Sequence, residues 1–204
     1  GITTMDISAD YRSRIGEDPY LLYGGDQNTY DSQGFDKNFQ DGNLLKFPSG
    51  NKVLKSSSGN KYHQFSATVT VDKTGTYDER GILTAALAIR NNQGGLIRSD
   101  ASHLAVIMLS DEDVRTKGMD NVGDPSSVTP ILYADRKENF VDALNERIGN
   151  SSKSVAVHSI IIPENDSSCL TKQLYQNWET ANYGKMYEDL SKDSRFKGKV
   201  GSIC

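Results

Sequence analysis

The stretch that most constrains this chain is Leu104-Ala105-Val106-Ile107-Met108-Leu109, an unbroken apolar run that ends abruptly in Ser110-Asp111-Glu112-Asp113. A run this short and this uniformly apolar predicts a strand buried on both faces of a parallel sheet. Such strands deliver their last residues to the carboxyl edge of the sheet, where open α/β folds bind ligands. Three carboxylates gathered there repel one another unless a cation, hydrogen-bond donors or water compensates them. The residues therefore suit either a hard-cation site or a solvated acidic loop behind a core strand.

The flanking segments agree with a parallel sheet. Before the run, Thr76-Tyr77-Asp78-Glu79 has the form of a capping box, and Ile82, Leu83, Ala86 and Leu87 then fall on one helical stripe with Ile89 at its edge. Asn91-Asn92-Gln93-Gly94-Gly95 stops that helix. After the run, residues 136–148 place Phe140, Val141, Leu144 and Ile148 on one helical face, with Gly149 at the cap position. Val155 to Ile162 reads as a second buried strand ended by Pro163, and residues 184–190 as a short tail helix. Phe65-Ser66-Ala67-Thr68-Val69-Thr70-Val71 alternates and predicts a further strand with one wet face. Alternating strands and helices predict an α/β domain with a doubly wound, mostly parallel, Rossmann-like sheet and helices on both faces.

The 204 residues suit a single domain. Residues 1–62 are rich in Gly, Asn, Asp, Ser and Tyr and read as short extended pieces and long surface loops; residues 63–204 read as the α/β core and a tail closed by a disulfide. Lysine and arginine total 23 against 27 acidic residues, a net charge of −4, which leaves no electrostatic case for nucleic acid or an anionic membrane. No apolar run approaches the roughly 20 residues that span a bilayer. No charged-then-apolar leader is present, so any leader or anchor is expected outside the chain. The two cysteines, Cys169 and Cys204, lack the close spacing of a zinc or redox motif. We expect them to pair, and with the pairing an extracytoplasmic location; two unrelated thiols are the alternative.

Taken together, Gly75-Thr76-Tyr77-Asp78-Glu79 before a helix, the strand ending in Ser110-Asp111-Glu112-Asp113, His158-Ser159-Ile160-Ile161-Ile162 followed by Cys169, and the closing Gly201-Ser202-Ile203-Cys204 resemble the von Willebrand factor type A fold of bacterial surface and secreted proteins. Gly1 to Asp6 and Gly42 to Lys46 resemble its second strand and the loop after it, so the likeness spans nearly the whole chain. The resemblance implies a metal-ion-dependent adhesion site in which one loop carries Asp-x-Ser-x-Ser, a second a Thr and a third an Asp. Asp111 matches the third element and Thr76 the second, with Asp113 as a further metal-site residue. Their oxygens suit Mg²⁺, or Ca²⁺ or Mn²⁺, with a position left for an acidic side chain of a protein ligand.

For the first element, Asp6 and Ser8 stand in Asp6-Ile7-Ser8-Ala9-Asp10, which ends in Asp where the family has Ser. Little chain precedes it, and the segment up to Pro19 lacks an amphipathic helix, so we read it as a chance match. The first strand would then come from outside this chain, as an N-terminal segment or a complementing chain.

The histidines, His63, His103 and His158, show no ligand spacing and are expected to be structural; Asp120, Asp124 and Asp135 read as loop charges. Trp178, Tyr175, Tyr183 and Tyr187 read as packing for the disulfide loop or as a partner surface. No nucleophile, phosphate-loop, dinucleotide or zinc-protease motif is present. The expected function is a non-enzymatic bacterial adhesion or protein-binding module. A metal-dependent hydrolase using Asp111, and a structural domain with a degenerate metal site, are the alternatives.

Overall fold

The computed structural model of the chain describes residues 1–5, 7–17, 40–70, 79–114, 131–149, 153–176 and 181–204, and every structural statement below concerns these residues. In chain order the elements are α1 (Ala9–Arg14), α2 (Lys61–Val69), α3 (Gly81–Asn91), β1 (His103–Leu109), α4 (Lys137–Ile148), β2 (Ser154–Ile161), α5 (Ser167–Gln176), α6 (Lys185–Ser191) and β3 (Val200–Ser202). The strands form one parallel sheet in the order β1-β2-β3. Its register pairs Leu104 with Val155, Val106 with Val157 and Ile107 with His158, and Ile160 with Gly201.

Helix α3 is the centre of the core. Gly81 through Ile89 are all buried, the pattern of a helix that is apolar on every side. Ile82, Ala85, Ala86 and Ile89 join Met108, Val157 and Ile161 from the sheet, Phe140, Ala143 and Leu144 from α4, and Tyr187 and Leu190 from α6 in one cluster. Leu83 and Leu87 turn the other way, onto Ile7. Each such aliphatic side chain contributes about 1.5–3 kcal/mol by leaving water. Gly42 passes so close to this helix that a Cβ there would lie 2.3 Å from Leu87 Cβ, and its φ of +73° is one that only glycine adopts easily. Phe140 meets Phe196 edge to face at 5.8 Å, which ties the segment before β3 to α4.

Both core helices stop as their sequences predict. Asn92 takes the left-handed conformation (φ 41°, ψ 43°) and its N–H returns to Ala88 O; Gly149, at φ 51°, returns its N–H to Asn145 O. The tail helix forms over Lys185–Ser191, one residue from its predicted bounds.

Four expectations are corrected. The strand expected over residues 65–71 is instead helical as far as it is described, within Lys61–Val69. Its threonines fit a helix by returning their hydroxyls four residues back, Thr68 Oγ1 to Gln64 O at 2.8 Å and Thr70 Oγ1 to Ser66 O at 2.9 Å. Second, β1 is not buried on both faces. Leu104, Val106 and Met108 face the core, while Ile107 is 64% and Leu109 58% exposed. Successive crossovers that step one way along a sheet with one hand place their helices on one side, and α3, α4 and α6 all pack on the core-facing side.

Third, α3 begins at Gly81 with Arg80 as its N-cap, so Thr76 to Glu79 is not its capping box. The start is pinned by tertiary bonds, Arg80 N–H to Met5 O at 3.0 Å and Gly81 N–H to the Tyr187 hydroxyl at 3.2 Å. Fourth, helical structure appears where loops were expected. Ser8 caps α1 by accepting from Tyr11 N–H, and α5 follows Asp166, whose carboxylate accepts from Cys169 N–H at 2.9 Å.

Cys169 and Cys204 form the expected disulfide. Cys169 is buried with Ile162, Leu170 and Ala181, and Tyr183 packs partly against them. Tyr187 belongs instead to the main core, and Tyr175 is exposed. Trp178 lies outside the described residues. No helix among the described residues is long and apolar enough to cross a membrane.

Candidate functional site

Because β1 runs parallel to β2, Ser110 emerges at the carboxyl edge of the sheet, its N–H still bonded to Ile160 O at 3.2 Å. The buried Ser110 hydroxyl donates to the Glu79 carboxylate and accepts the Glu112 N–H at 3.1 Å. Two chain segments far apart in sequence, the lead-in to α3 and the loop after β1, therefore meet at this serine. Glu112 is buried, while Asp111 and Asp113 are half-buried.

The acidic loop is held from the far side by the lead-in to α6. Asp111 O accepts the Asn182 N–H at 2.9 Å, and Asp113 Oδ1 accepts the Met186 N–H at 3.0 Å. Burial pushes the Asp113 carboxyl up to about 6, against the backbone N–H groups of Val114, Met186 and Lys185, which favour its ionised form. Beneath the loop lies the fully buried Tyr187. Burial raises its phenol well above the usual value, and the charges of Glu79, Asp113 and Glu112 raise it further. The carboxyl edge is thus an acidic cluster at which three chain segments meet near a buried tyrosine.

The sequence-predicted site residues divide as follows. Asp111 and Asp113 stand at the edge as expected, with Asp113 turned toward the α6 backbone. Thr76 and Asp6 lie outside the described residues, as do Asp120 and Asp124. Ser8 is bonded to Asp41, through its N–H at 2.7 Å and its hydroxyl at 2.6 Å. His63 lies on α2, while His103 and His158 lie on the sheet, His103 beside Ser154.

Asp135 is not a loop surface charge. It is fully buried against Arg80, with Nε to Oδ1 at 2.6 Å and Nη2 to Oδ2 at 2.9 Å. Arg80 also reaches Glu17 at 2.9 Å, which meets Arg12 at 3.6 Å. This buried cluster fixes the residue next to Glu79 and so sets where Glu79 meets Ser110. Sequence reasoning missed Glu79 as a site residue because it read that side chain as part of a helix cap. Its only signal was a second acidic residue in the loop before a core helix.

The site supplies hard oxygens in the Asp111 carboxylate, the Ser110 hydroxyl and the Glu79 carboxylate. Mg²⁺ takes about six oxygens in octahedral array, and among the described residues no group of three or more His, Cys, Asp or Glu side chains is placed to hold a metal ion. The described residues alone do not make a complete metal shell. Comparisons with protein-family models, with characterised proteins and with solved structures find no match to this chain.

Proposed function

We propose that this chain is a protein-binding module of the von Willebrand factor type A kind, acting outside the cytoplasm through the acidic carboxyl edge of β1. The observation that carries the reading is the meeting of Glu79, from the loop before α3, with Ser110 at the head of the Ser110-Asp111-Glu112-Asp113 loop. A parallel core strand, an acidic loop after it and an acidic loop before the neighbouring helix meet at one edge, where open α/β sheets bind ligands.

In this reading the assembled domain is doubly wound, and Asp111 is this chain's chief contact to a divalent cation that bridges to an acidic group on the ligand. The remaining oxygens come from water, from Thr76 or from a complementing segment. The Cys169–Cys204 disulfide supports an oxidising, cell-surface or secreted setting. A second reading is that the same edge binds its partner without an ion, as a structural domain with a degenerate metal site; among the described residues no three-member ligand group is placed to hold one.

Titration of Mg²⁺ and of Mn²⁺ into the protein by calorimetry tests the first reading. The expected result is saturable binding that weakens at least tenfold in Asp111→Ala while far-ultraviolet circular dichroism stays unchanged. Identical titrations of both proteins would overturn the cation and leave the second reading.

A further inference from the structure

The amino edge of the sheet, at the far end of β1 from the acidic loop, carries a cleft of the opposite charge. The loop between α3 and β1, the end of α4 and Lys153, which leads into β2, meet there around an open space of about 670 Å³. Small-molecule sites span roughly 300–1,000 Å³. Ile97 and Ile148, half-buried against the main core, supply the apolar lining, and Arg98, Asp100, Arg147 and Lys153 supply the charges. Bonds within the chain hold the walls. Asn92, in the left-handed conformation that ends α3, accepts the Ile97 N–H through Oδ1 at 2.6 Å. Lys153 Nζ donates to Ser99 O at 2.8 Å, which ties the lead-in of β2 to the loop before β1. Gly95, at φ +69°, has no atom within 4 Å of where a Cβ would stand, so the cleft is open on that side.

The chain has a net charge of −4, yet this cleft sets three cations against one carboxylate. That carboxylate is already engaged, since Arg98 grips Asp100 through Nε at 2.9 Å and through Nη2. Among the described residues neither Arg147 nor Lys153 stands within ion-pair distance of a carboxylate. Helix ends explain part of this. The carbonyl ends of α3 and α4 point to this edge, and Arg90 and Arg147 stand in their last turns. Lys153 lies outside both helices, where no dipole calls for it. The acids Asp111, Glu112 and Asp113 lie beyond the seven residues of β1, roughly 20 Å away and past a Debye length, so they do not repel an anion here.

We infer that this cleft binds a small organic phosphate monoester, with the phosphate at Arg147 and Lys153 and its apolar substituent against Ile97 and Ile148. Two cations without carboxylates match one dianion, and a phosphate monoester carries about −1.5 to −2 charges near neutrality. A carboxylate would leave one cation uncompensated. The planar fork of Arg147 suits two phosphate oxygens at once, and the Lys153 ammonium acts as a point charge beside it.

Calorimetric titration of the whole chain with phenyl phosphate, inorganic phosphate and benzoate tests this. Phenyl phosphate is expected to bind saturably at one site. It should bind more tightly than inorganic phosphate, which lacks the apolar body, and than benzoate, which lacks the second charge. Arg147→Gln and Lys153→Gln, the latter keeping a donor for Ser99 O, should each weaken phenyl phosphate by about threefold or more, the scale of one exposed charge pair. Ile97→Thr should weaken phenyl phosphate and leave inorganic phosphate unchanged. In the parent chain, the NMR amide signals of Gly95, Arg98 and Ser99 should shift with the same saturation, which decides the location even where a variant unfolds. Absence of saturable phenyl phosphate binding overturns the inference. So do equal binding of all three anions, shifts confined to other residues, or unchanged binding in both folded charge variants. None of these outcomes bears on the Asp111 titration, which reads the other edge.

Discussion

Removing Asp135 tests whether the buried ion cluster holds α3 in place. Arg80 and Asp135 are both fully buried, joined at 2.6 Å and 2.9 Å, and Asp135 Oδ2 also accepts the Leu132 N–H at 3.2 Å. Among the described residues the cluster joins Arg12 and Arg80 with Glu17 and Asp135. Asp135→Ala takes from the buried Arg80 guanidinium its two-pronged carboxylate partner and from the Leu132 N–H its acceptor. Breaking one partner of a buried pair costs about 3–5 kcal/mol, because the desolvated charge is left uncompensated. Against a total stability of about 5–15 kcal/mol this is a large fraction, and for a chain of this size it lowers Tm by roughly 10 °C.

The double variant Arg80→Met/Asp135→Leu removes both charges and leaves Arg12 with Glu17. It is expected to recover most of the loss, as apolar replacements of buried pairs do. Urea unfolding of the parent, Arg80→Met, Asp135→Leu and the double variant measures the coupling directly. A loss below about 1 kcal/mol in Asp135→Ala, or a double variant no more stable than the single, would refute the account.

Three further outcomes follow from the structure. Reducing the Cys169–Cys204 bridge, or making Cys169→Ser with Cys204→Ser, frees a loop set by a sequence separation of 35. In the chain-entropy model the change lowers unfolding free energy by up to about 4 kcal/mol, read as a lower urea midpoint. Asp113 is protonated more readily folded, at about 6, than at its ordinary value of 3.8, so its contribution is full below the lower value and lost as pH rises through the upper. Raising pH from about 4 to about 6 should therefore cost about 2 kcal/mol, and Asp113→Asn, which keeps an acceptor for Met186, should flatten that part of the stability profile; an unchanged profile would show that burial does not control this carboxyl. Gly198→Ala would place a Cβ 1.9 Å from Val157 O and 2.5 Å from Ser191 O. It should displace β3 from β2 and increase hydrogen exchange at Lys197, whose N–H bonds Val155 O at 3.1 Å.

The sheet and its core helices were legible because their signals are local. An apolar run, a helical stripe and a left-handed stop residue each act through the backbone of their own neighbourhood, so β1, β2 and α4 fall within a residue of their predicted bounds and α3 ends where its stop residues stand, although it starts later than its expected cap. The acidic edge was legible for the same reason: once β1 is a parallel strand, chain direction alone carries Asp111 to the carboxyl side. The identity of α2 was not legible. Alternation in residues 65–71 matched a strand, but threonine hydroxyls can satisfy helix carbonyls equally well, and the cleft that Ala67 and Thr68 line with residues 45–48 exists only in the folded chain.

What the sequence determined by itself was that β1 and β2 are strands and α3, α4 and α6 helices, where most of these end, that the two cysteines are the pair available for a disulfide, and that acid collects after β1. What only the tertiary structure decided was which charges meet. Arg80 and Asp135 lie 55 positions apart and Glu79 and Ser110 lie 31 apart. No periodicity encodes such pairings, because burial selects a partner by proximity in space and makes the charge costly without it. The same holds for the bare side of the sheet. Composition fills Ile107 and Leu109 with apolar atoms, but only the packing of α3, α4 and α6 on one side shows that the other still faces water.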